Sequence, residues 1–372
     1  MKPRARDLNI RIGQLQPGPL NAITDVPGVR VGHSNVRGRS DSGRDICTGV
    51  TVIEPRRGST NQQPCFAGVH VLNGNGDATG LEWIREAGLL TSPIAFTNTH
   101  SLGVVRDALI ALDRQQQPDD GRLYWNMPVV LETFDGLLNN INGFHVKPEH
   151  VAEALHSAHD GAVEEGAVGG GSGMICHEFK GGIGSASRRL SSAQGGWTVG
   201  AIVQANHGIR SELRVDGYPV GRYMEQVDSP FLRASLPHPG MGSIVVCLAT
   251  DAPLLPHQCT RLAQRASLGL ARSGGGNEDH SGDIFIAFAT GNEQVPSAAY
   301  EGKGAPTCDG LRMVNNDHIS ELFLAATEAV EEAIINALLA SESTAGNGHA
   351  VPGLDKETLL AALAKAGWPG AR

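Results

Sequence analysis

The chain has 372 residues, 48 of them glycine and only 5% aromatic, with a formal net charge of −9 and a pI near 5.9. That length can bury a core without staples, and the negative balance with no basic tract excludes nucleic acid as the main partner, since such affinity rests on clustered Lys and Arg. No apolar run approaches the roughly 18 residues of a membrane span or follows the basic start as a signal peptide would, so the expectation is a cytoplasmic protein with no membrane partner.

Asn21 to His33 reads as strand–turn–strand around Pro27, Gly28 and Gly32, and Val50 to Glu54 as a strand. Helical spacing covers Thr79 to Leu90, Leu102 to Leu112 and Pro148 to His159. The last carries His150, Glu153, His156 and His159, which are ligand types. At 100° per residue they spread around the helix, and no HExxH occurs, so no metal is expected. The six cysteines, at 47, 65, 176, 247, 259 and 308, show no CxxC pair or zinc spacing and read as reduced, mostly buried thiols. Gly166 to Gly184 is the densest glycine run. It lacks GxxxxGK[ST] and the strand–turn–helix setting of a dinucleotide site, which leaves a tight loop where backbones approach closely.

Thr198 to Ala205 reads as an apolar strand ending at Asn206-His207-Gly208, and Gly217 to Leu236 as the approach to a Pro- and Gly-rich loop. Ile244 to Leu248 suits a strand buried on both faces, with Ser243 at its first position. Pro253 to Arg272 has helical spacing, Ile284 to Phe288 is another buried strand, and Asp317 to Ala340, with Asp317 as N-cap, is the strongest helix. A polar linker, 341–350, precedes a helix from Asp355 to Ala366. Strands interspersed with amphipathic helices indicate an α/β protein, while the pattern leaves the layer order open.

The coil before Ser243, with Pro237, Pro239, Gly240 and Gly242, cannot continue a strand and could hold one peptide bond exposed. A serine hydroxyl just after a glycine carbonyl can attack it, move the acyl group from nitrogen to oxygen, and leave an ester that water cuts. Cleavage between Gly242 and Ser243 would free an α-amine on Ser243, a competent general base near neutral pH, so that nucleophile and base share one residue.

The run from Gly242 to Arg272 with SGDIFIAFATGN (281–292) resembles the region around the cleavage site of the DmpA-type L-aminopeptidase/D-esterase and β-peptidyl aminopeptidase family. TDVPGVRVGH (24–33), LNGNGDATG (72–80), ETFDGLLNNING (132–143), EGAVGGGSGMICHEFKGGIGSASR (165–188) and VQANHG (203–208) agree in the same order. The resemblance implies a four-layer αββα sandwich, one folded unit over 1–372 cut into 1–242 and 243–372, and a homotetramer. It implies an N-terminal-serine hydrolase acting on short peptides, amides or esters through an acyl-enzyme, with no cofactor.

By the same resemblance Ser243 is the nucleophile, Ser281 and Asp283 orient its α-amine, Asn206 supplies the oxyanion amide, and Glu132 receives the substrate's amino group. Alternation puts positions 281 and 283 on one strand face. Phe134 stands where the family usually has tyrosine, which removes a hydroxyl. The alternatives are an ornithine acetyltransferase-like acyl transferase, which uses threonine at the cleavage site, and a non-catalytic glycine-rich nucleotide-binding protein.

Overall fold

The computed structural model describes residues 2–117, 123–231, 242–295 and 308–370. Two sheets face each other. The smaller is ordered β1-β2-β5-β6, from β1 (Arg30–Arg39), β2 (Asp45–Glu54), β5 (Ile94–Asn98) and β6 (Val129–Thr133). The larger is ordered β4-β3-β12-β11-β10-β9, from β3 (Cys65–Gly74), β4 (Leu89–Leu90), β9 (Gly182–Arg189), β10 (Thr198–Asn206), β11 (Ser243–Thr250) and β12 (Gly282–Ala289). Two short hairpins, β7 (Ile175–Cys176) with β8 (Phe179–Lys180) and β13 (Thr344–Gly346) with β14 (His349–Val351), lie outside them.

Three apolar layers tie this together. Ile53, Phe96 and Leu131 of the small sheet meet Ile202, Val245, Cys247 and Ile286 of the large one. Helices α2 (Leu102–Gln116) and α3 (Pro148–Ser157) cover the small sheet's other face through Val105, Leu109 and Val151 over Val50, Val52 and Val130. Helices α4 (Pro256–Gln264), α5 (Ala266–Ser273) and α6 (Ser320–Ala340) cover the large sheet's other face over Ile244, Val246, Leu248 and Phe285, joined by α7 (Lys356–Lys365). The expected αββα order is therefore the observed one. Strand β11 was legible as an unbroken apolar run because both of its faces are dry: Ile244, Val246 and Leu248 face helices, while Val245, Cys247 and Ala249 face the other sheet.

Several boundaries differ from the sequence reading. The helix read over Thr79 to Leu90 shrinks to α1 (Leu81–Ala87), bracketed by Gly80 and Gly88 in left-handed conformations, and Leu89–Leu90 pairs as β4. Instead of strand–turn–strand, residues 21–33 form a 3-10 turn at Ile23–Asp25 and then enter β1. The helix expected over Pro253 to Arg272 breaks at Arg265, whose guanidinium stacks on Phe323 of α6 at 4.1 Å. Asp317 is not the cap of α6: it lies in a 3-10 turn at Asn316–His318, where the Asn315 side chain accepts its N–H. Asp355 does cap α7, accepting the Thr358 N–H at 2.7 Å. The linker read at 341–350 contains β13 and the start of β14.

Candidate active site

Ser243 opens β11 at the centre of the large sheet. Antiparallel pairing sets Asn206, the last residue of β10, opposite it, and parallel pairing sets Gly282, the first of β12, on its other side. Ser243 and Asn206 share strand parity with Val245 and Ile202, so both face the gap between the sheets. Both are nearly buried, at 5% and 4% exposure. The Gly282 N–H points at two acceptors, the Ser243 Oγ at 3.0 Å and the Gly242 carbonyl at 3.3 Å.

Only glycine fits at 242, because a Cβ there would meet the Asn206 carbonyl oxygen at 1.8 Å. Gly282 is equally constrained, since its Cβ would meet the Asn75 carbonyl at 2.6 Å. The 72–76 segment packs this closely because the Asn73 amide donates to the carbonyls of Glu278 and Asp279, at 3.1 and 2.9 Å, and the Asn75 amide to that of His280 at 2.7 Å. The Pro- and Gly-rich approach read at Pro237, Pro239 and Gly240 lies outside the described residues.

Ser281 donates its hydroxyl to Asp283 Oδ1 at 2.6 Å, so the two side chains do meet as their spacing suggested. Asp283 sits opposite Ile244 in the register, and a bulge against β3 follows it. Its Oδ2 is buried without a hydrogen-bond partner. Burial pushes the Asp283 carboxyl up to about 6, opposed by the Ser281 hydroxyl and the Ile244 amide. Its folded pKa lies above the ordinary 3.8, so its contribution to stability is fully present below that value and lost as pH rises through about 6. Asp283→Asn should therefore stabilise an uncleaved Ser243→Ala chain at pH 8 by about 1–3 kcal/mol and hardly at all at pH 3.5. Urea unfolding at the two pH values checks this; an equal effect at both would contradict it.

Asn206 is held at both ends. Its Oδ1 accepts the Ile175 N–H at 2.7 Å, and its Nδ2 donates to the Phe134 carbonyl at 2.9 Å, leaving a second amide hydrogen for another acceptor. Phe134 thus reaches the site through its backbone, while its ring lies across Gly136 and is 47% exposed. The glycine run that supplies Ile175 wraps around Lys180, whose buried ammonium donates to the carbonyls of Gly171, Met174 and Gly181 at 3.2, 2.8 and 2.7 Å. Burial pulls that lysine down to about 7.

Glu132, near the end of β6, accepts the Asp77 N–H at 2.8 Å on Oε1 and the Thr99 hydroxyl on Oε2. Burial raises its pKa, and those two donors partly restore the charge. Gly76 bridges the two halves of the site: a Cβ there would lie 3.2 Å from Glu132 Oε1 and 3.3 Å from the Gly282 Cα. A cavity of about 370 Å³ opens beside it, with Asp77, Trp83, Met127 and Ile284 among its walls.

Ser243, Gly242, Asn206, Ser281, Asp283, Glu132 and the Phe134 backbone therefore fall in one region spanning the ends of both sheets. Sequence reasoning missed the backbone donors of Gly282, Asp77 and Ile175 and the Thr99 hydroxyl; the only signal was the glycine density of 72–76 and 165–184. The ligand-type residues of α3 do not converge. His150 accepts the Lys147 N–H, Glu153 accepts the Ser34 hydroxyl, and His159 accepts the Gly161 N–H.

Known proteins of the same architecture give this arrangement a class. An L-aminopeptidase D-Ala-esterase/amidase from Ochrobactrum anthropi, described as a prototype for the serine aminopeptidases and a variant of the Ntn hydrolase fold, matches with a TM-score of 0.88 at 43% identity over 98% of this chain and 99% of that one. A Burkholderia β-aminopeptidase matches with a TM-score of 0.93 at 64% identity, over 98% and 99% of the two chains. The β-peptidyl aminopeptidase BapA of Sphingosinicella microcystinivorans is 44% identical over 98% of this chain and 92% of that protein. The fold is thus that of the Ntn hydrolases, and the molecule is a serine aminopeptidase. The profile of peptidase family S58 matches residues 21–351, and the chain belongs to that family. These relatives lend no support to the acyl transferase or nucleotide-binding alternatives. No helix among the described residues is long and apolar enough to cross a membrane.

Proposed function

We propose that the chain matures by cutting its own Gly242–Ser243 bond and that the product releases N-terminal residues, β-amino acids included, from short peptides, amides or esters. The observation that carries this is the Gly282 N–H shared by the Ser243 hydroxyl and the Gly242 carbonyl. It polarises the carbonyl and holds the attacking oxygen beside it. Attack of Oγ on the Gly242 carbon forms a C–O bond while Gly282 steadies the oxyanion. The C–N bond then breaks as nitrogen takes the proton that Oγ gives up, and water hydrolyses the ester to a Gly242 carboxylate and a free Ser243 amine.

In the mature enzyme that amine takes the proton of its own Oγ as Oγ attacks the substrate carbonyl, and passes it to the departing amine. The free Asp283 Oδ2 and the Ser281 hydroxyl suit the amine, the spare Asn206 amide hydrogen suits the oxyanion, and water completes the cycle by hydrolysing the acyl-enzyme. The inclusion of β-amino acids is supported by the names of the relatives. The homotetramer is carried from the family resemblance, and the cytoplasm is favoured by six unpaired thiols.

Glu132, desolvated and held by two donors, would meet a substrate ammonium in a charge-assisted hydrogen bond. Free peptides should be cleaved, while N-acetylated equivalents lose at least about 10²-fold in kcat/KM, and Glu132→Gln should shrink that ratio without stopping self-cleavage. Equal turnover of free and acetylated substrates would reassign Glu132 to structure and make the enzyme a broader amidase. A second, smaller expectation concerns the hydroxyl missing at Phe134. Phe134→Tyr should raise kcat by up to about 10-fold with KM unchanged; a change in KM alone would assign the position to substrate packing.

A further inference from the structure

The β7–β8 hairpin pairs Cys176 with Phe179, so its turn is the dipeptide His177-Glu178. Both residues have positive φ, 48° and 62°. Two-residue hairpin turns of this kind favour Asn-Gly, because residues with larger side chains are strained there. Such outliers persist where the surroundings over-determine them and cluster at functional sites. Here the turn drives the His177 ring inward to complete burial.

His177 donates its Nδ1 hydrogen to the Ile209 carbonyl at 2.9 Å, which fixes the tautomer and leaves a lone pair on Nε2. That Nε2 is buried without a partner. The His207 ring stands edge-on to it, with centroids 5.1 Å apart, and its Nε2 is likewise buried and partnerless. His207 Nδ1 lies 3.8 Å from the Sγ of Cys176. One ligand atom from each of the three residues falls within 4.8 Å of the others. A histidine whose other nitrogen is tied to a backbone carbonyl is the arrangement seen in metal-ligating imidazoles.

We propose that Cys176, His177 and His207 form a buried site for a soft monovalent d10 cation of the copper(I) class. Thiolate and imidazole are the donors such an ion selects. Binding releases the thiol proton to solvent, so one thiolate, two neutral imidazoles and a monovalent ion sum to zero charge. A zinc ion would leave a buried positive charge and ask for a fourth ligand. Glu178, the nearest acid in sequence, is engaged by the Arg210 N–H. Burial keeps His177 neutral, drawn down to about 4, and holds the Cys176 thiol up at about 12, so the apo cluster is uncharged. The donors, already within 4.8 Å of one another, would close to separations of roughly 3.5 Å around a three-coordinate ion. The site borders the catalytic one, since His207 follows Asn206 and Cys176 follows Ile175, whose N–H holds the Asn206 amide. It does not depend on the hydrolase reading.

The test uses the full chain carrying Cys308→Ser, which removes the one exposed thiol, titrated anaerobically with copper(I) against a chromophoric copper(I) chelator. One tightly held equivalent is expected, with one sulfur and two nitrogen ligands by X-ray absorption. Cys176→Ala should weaken it by at least about 10²-fold, and so should His177→Asn, which suits the left-handed turn and keeps the fold. No retained equivalent in the parent, or undiminished binding in folded His177→Asn, would overturn the proposal. Tighter retention of zinc than of copper(I) would overturn the assignment of the ion.

Discussion

Ser243→Ala is expected to leave the chain whole at 39.1 kDa and to abolish turnover, the largest effect any single substitution here should have. The variant keeps the β10–β11–β12 register, because a smaller side chain at a site flanked by Asn206 and Gly282 creates no clash. It removes the nucleophile for both the cut and the peptidase reaction, and without the cut the α-amine base never forms. Losing nucleophile and base together should cost on the order of 10⁶ in kcat. A wild-type-like denaturation midpoint in the same variant separates chemistry from folding, and residual activity above about 1% of wild type would remove Ser243 from its role.

Asn206→Ala should have the next largest effect, lowering kcat by about 10²–10³ with little change in KM, the magnitude found when one oxyanion donor is removed. The same substitution leaves the Ile175 N–H and the Phe134 carbonyl unpaired, at a stability cost of about 1–3 kcal/mol each. Asn206→Asp resolves the two contributions. It keeps the acceptor that holds Ile175 but puts negative charge where an oxyanion must form, so kcat should fall at least as far. A kcat within threefold of wild type in either variant would make Asn206 a strand-end anchor and no more.

How much of this was legible depended on what each residue packs against. Strand β11 announced itself because two apolar layers enclose it, and α6 because its long periodic run meets β9 and β10. Strand β9 was invisible although it is almost entirely buried. Its Ser185 hydroxyl bridges the Ile23 N–H and the Ala201 carbonyl, its Ser187 hydroxyl donates to Asp25, and its Arg188 pairs with Glu328 and Glu332 of α6. Polar side chains satisfied mostly by groups remote in sequence, Ile23, Asp25, Glu328 and Glu332, leave no alternating apolar pattern to read. Buried strands β5 and β6, and the half-buried β3, were passed over as well.

The site divides in a similar way. Ser243, Asn206, Ser281, Asp283 and Glu132 were readable because side-chain types carry roles. The groups that aim them are backbone hydrogens of Gly282, Asp77 and Ile175, which no residue type reports. Gly242 is intermediate: the sequence reads it as part of a coil that leaves one peptide bond exposed, whereas the structure gives a steric reason for glycine, the Asn206 carbonyl oxygen 1.8 Å from where a Cβ would sit.

The central claim is that the Gly242–Ser243 bond is cut to make the enzyme. The most direct test is a denaturing gel of the purified wild-type protein, with N-terminal sequencing of the smaller band. Two bands of about 25 and 14 kDa are predicted, set by residues 1–242 and 243–372 at the usual mass per residue, the smaller beginning at Ser243. A single band near 39.1 kDa with full aminopeptidase activity would contradict the account, because an intact chain has no α-amine at Ser243 to serve as the base.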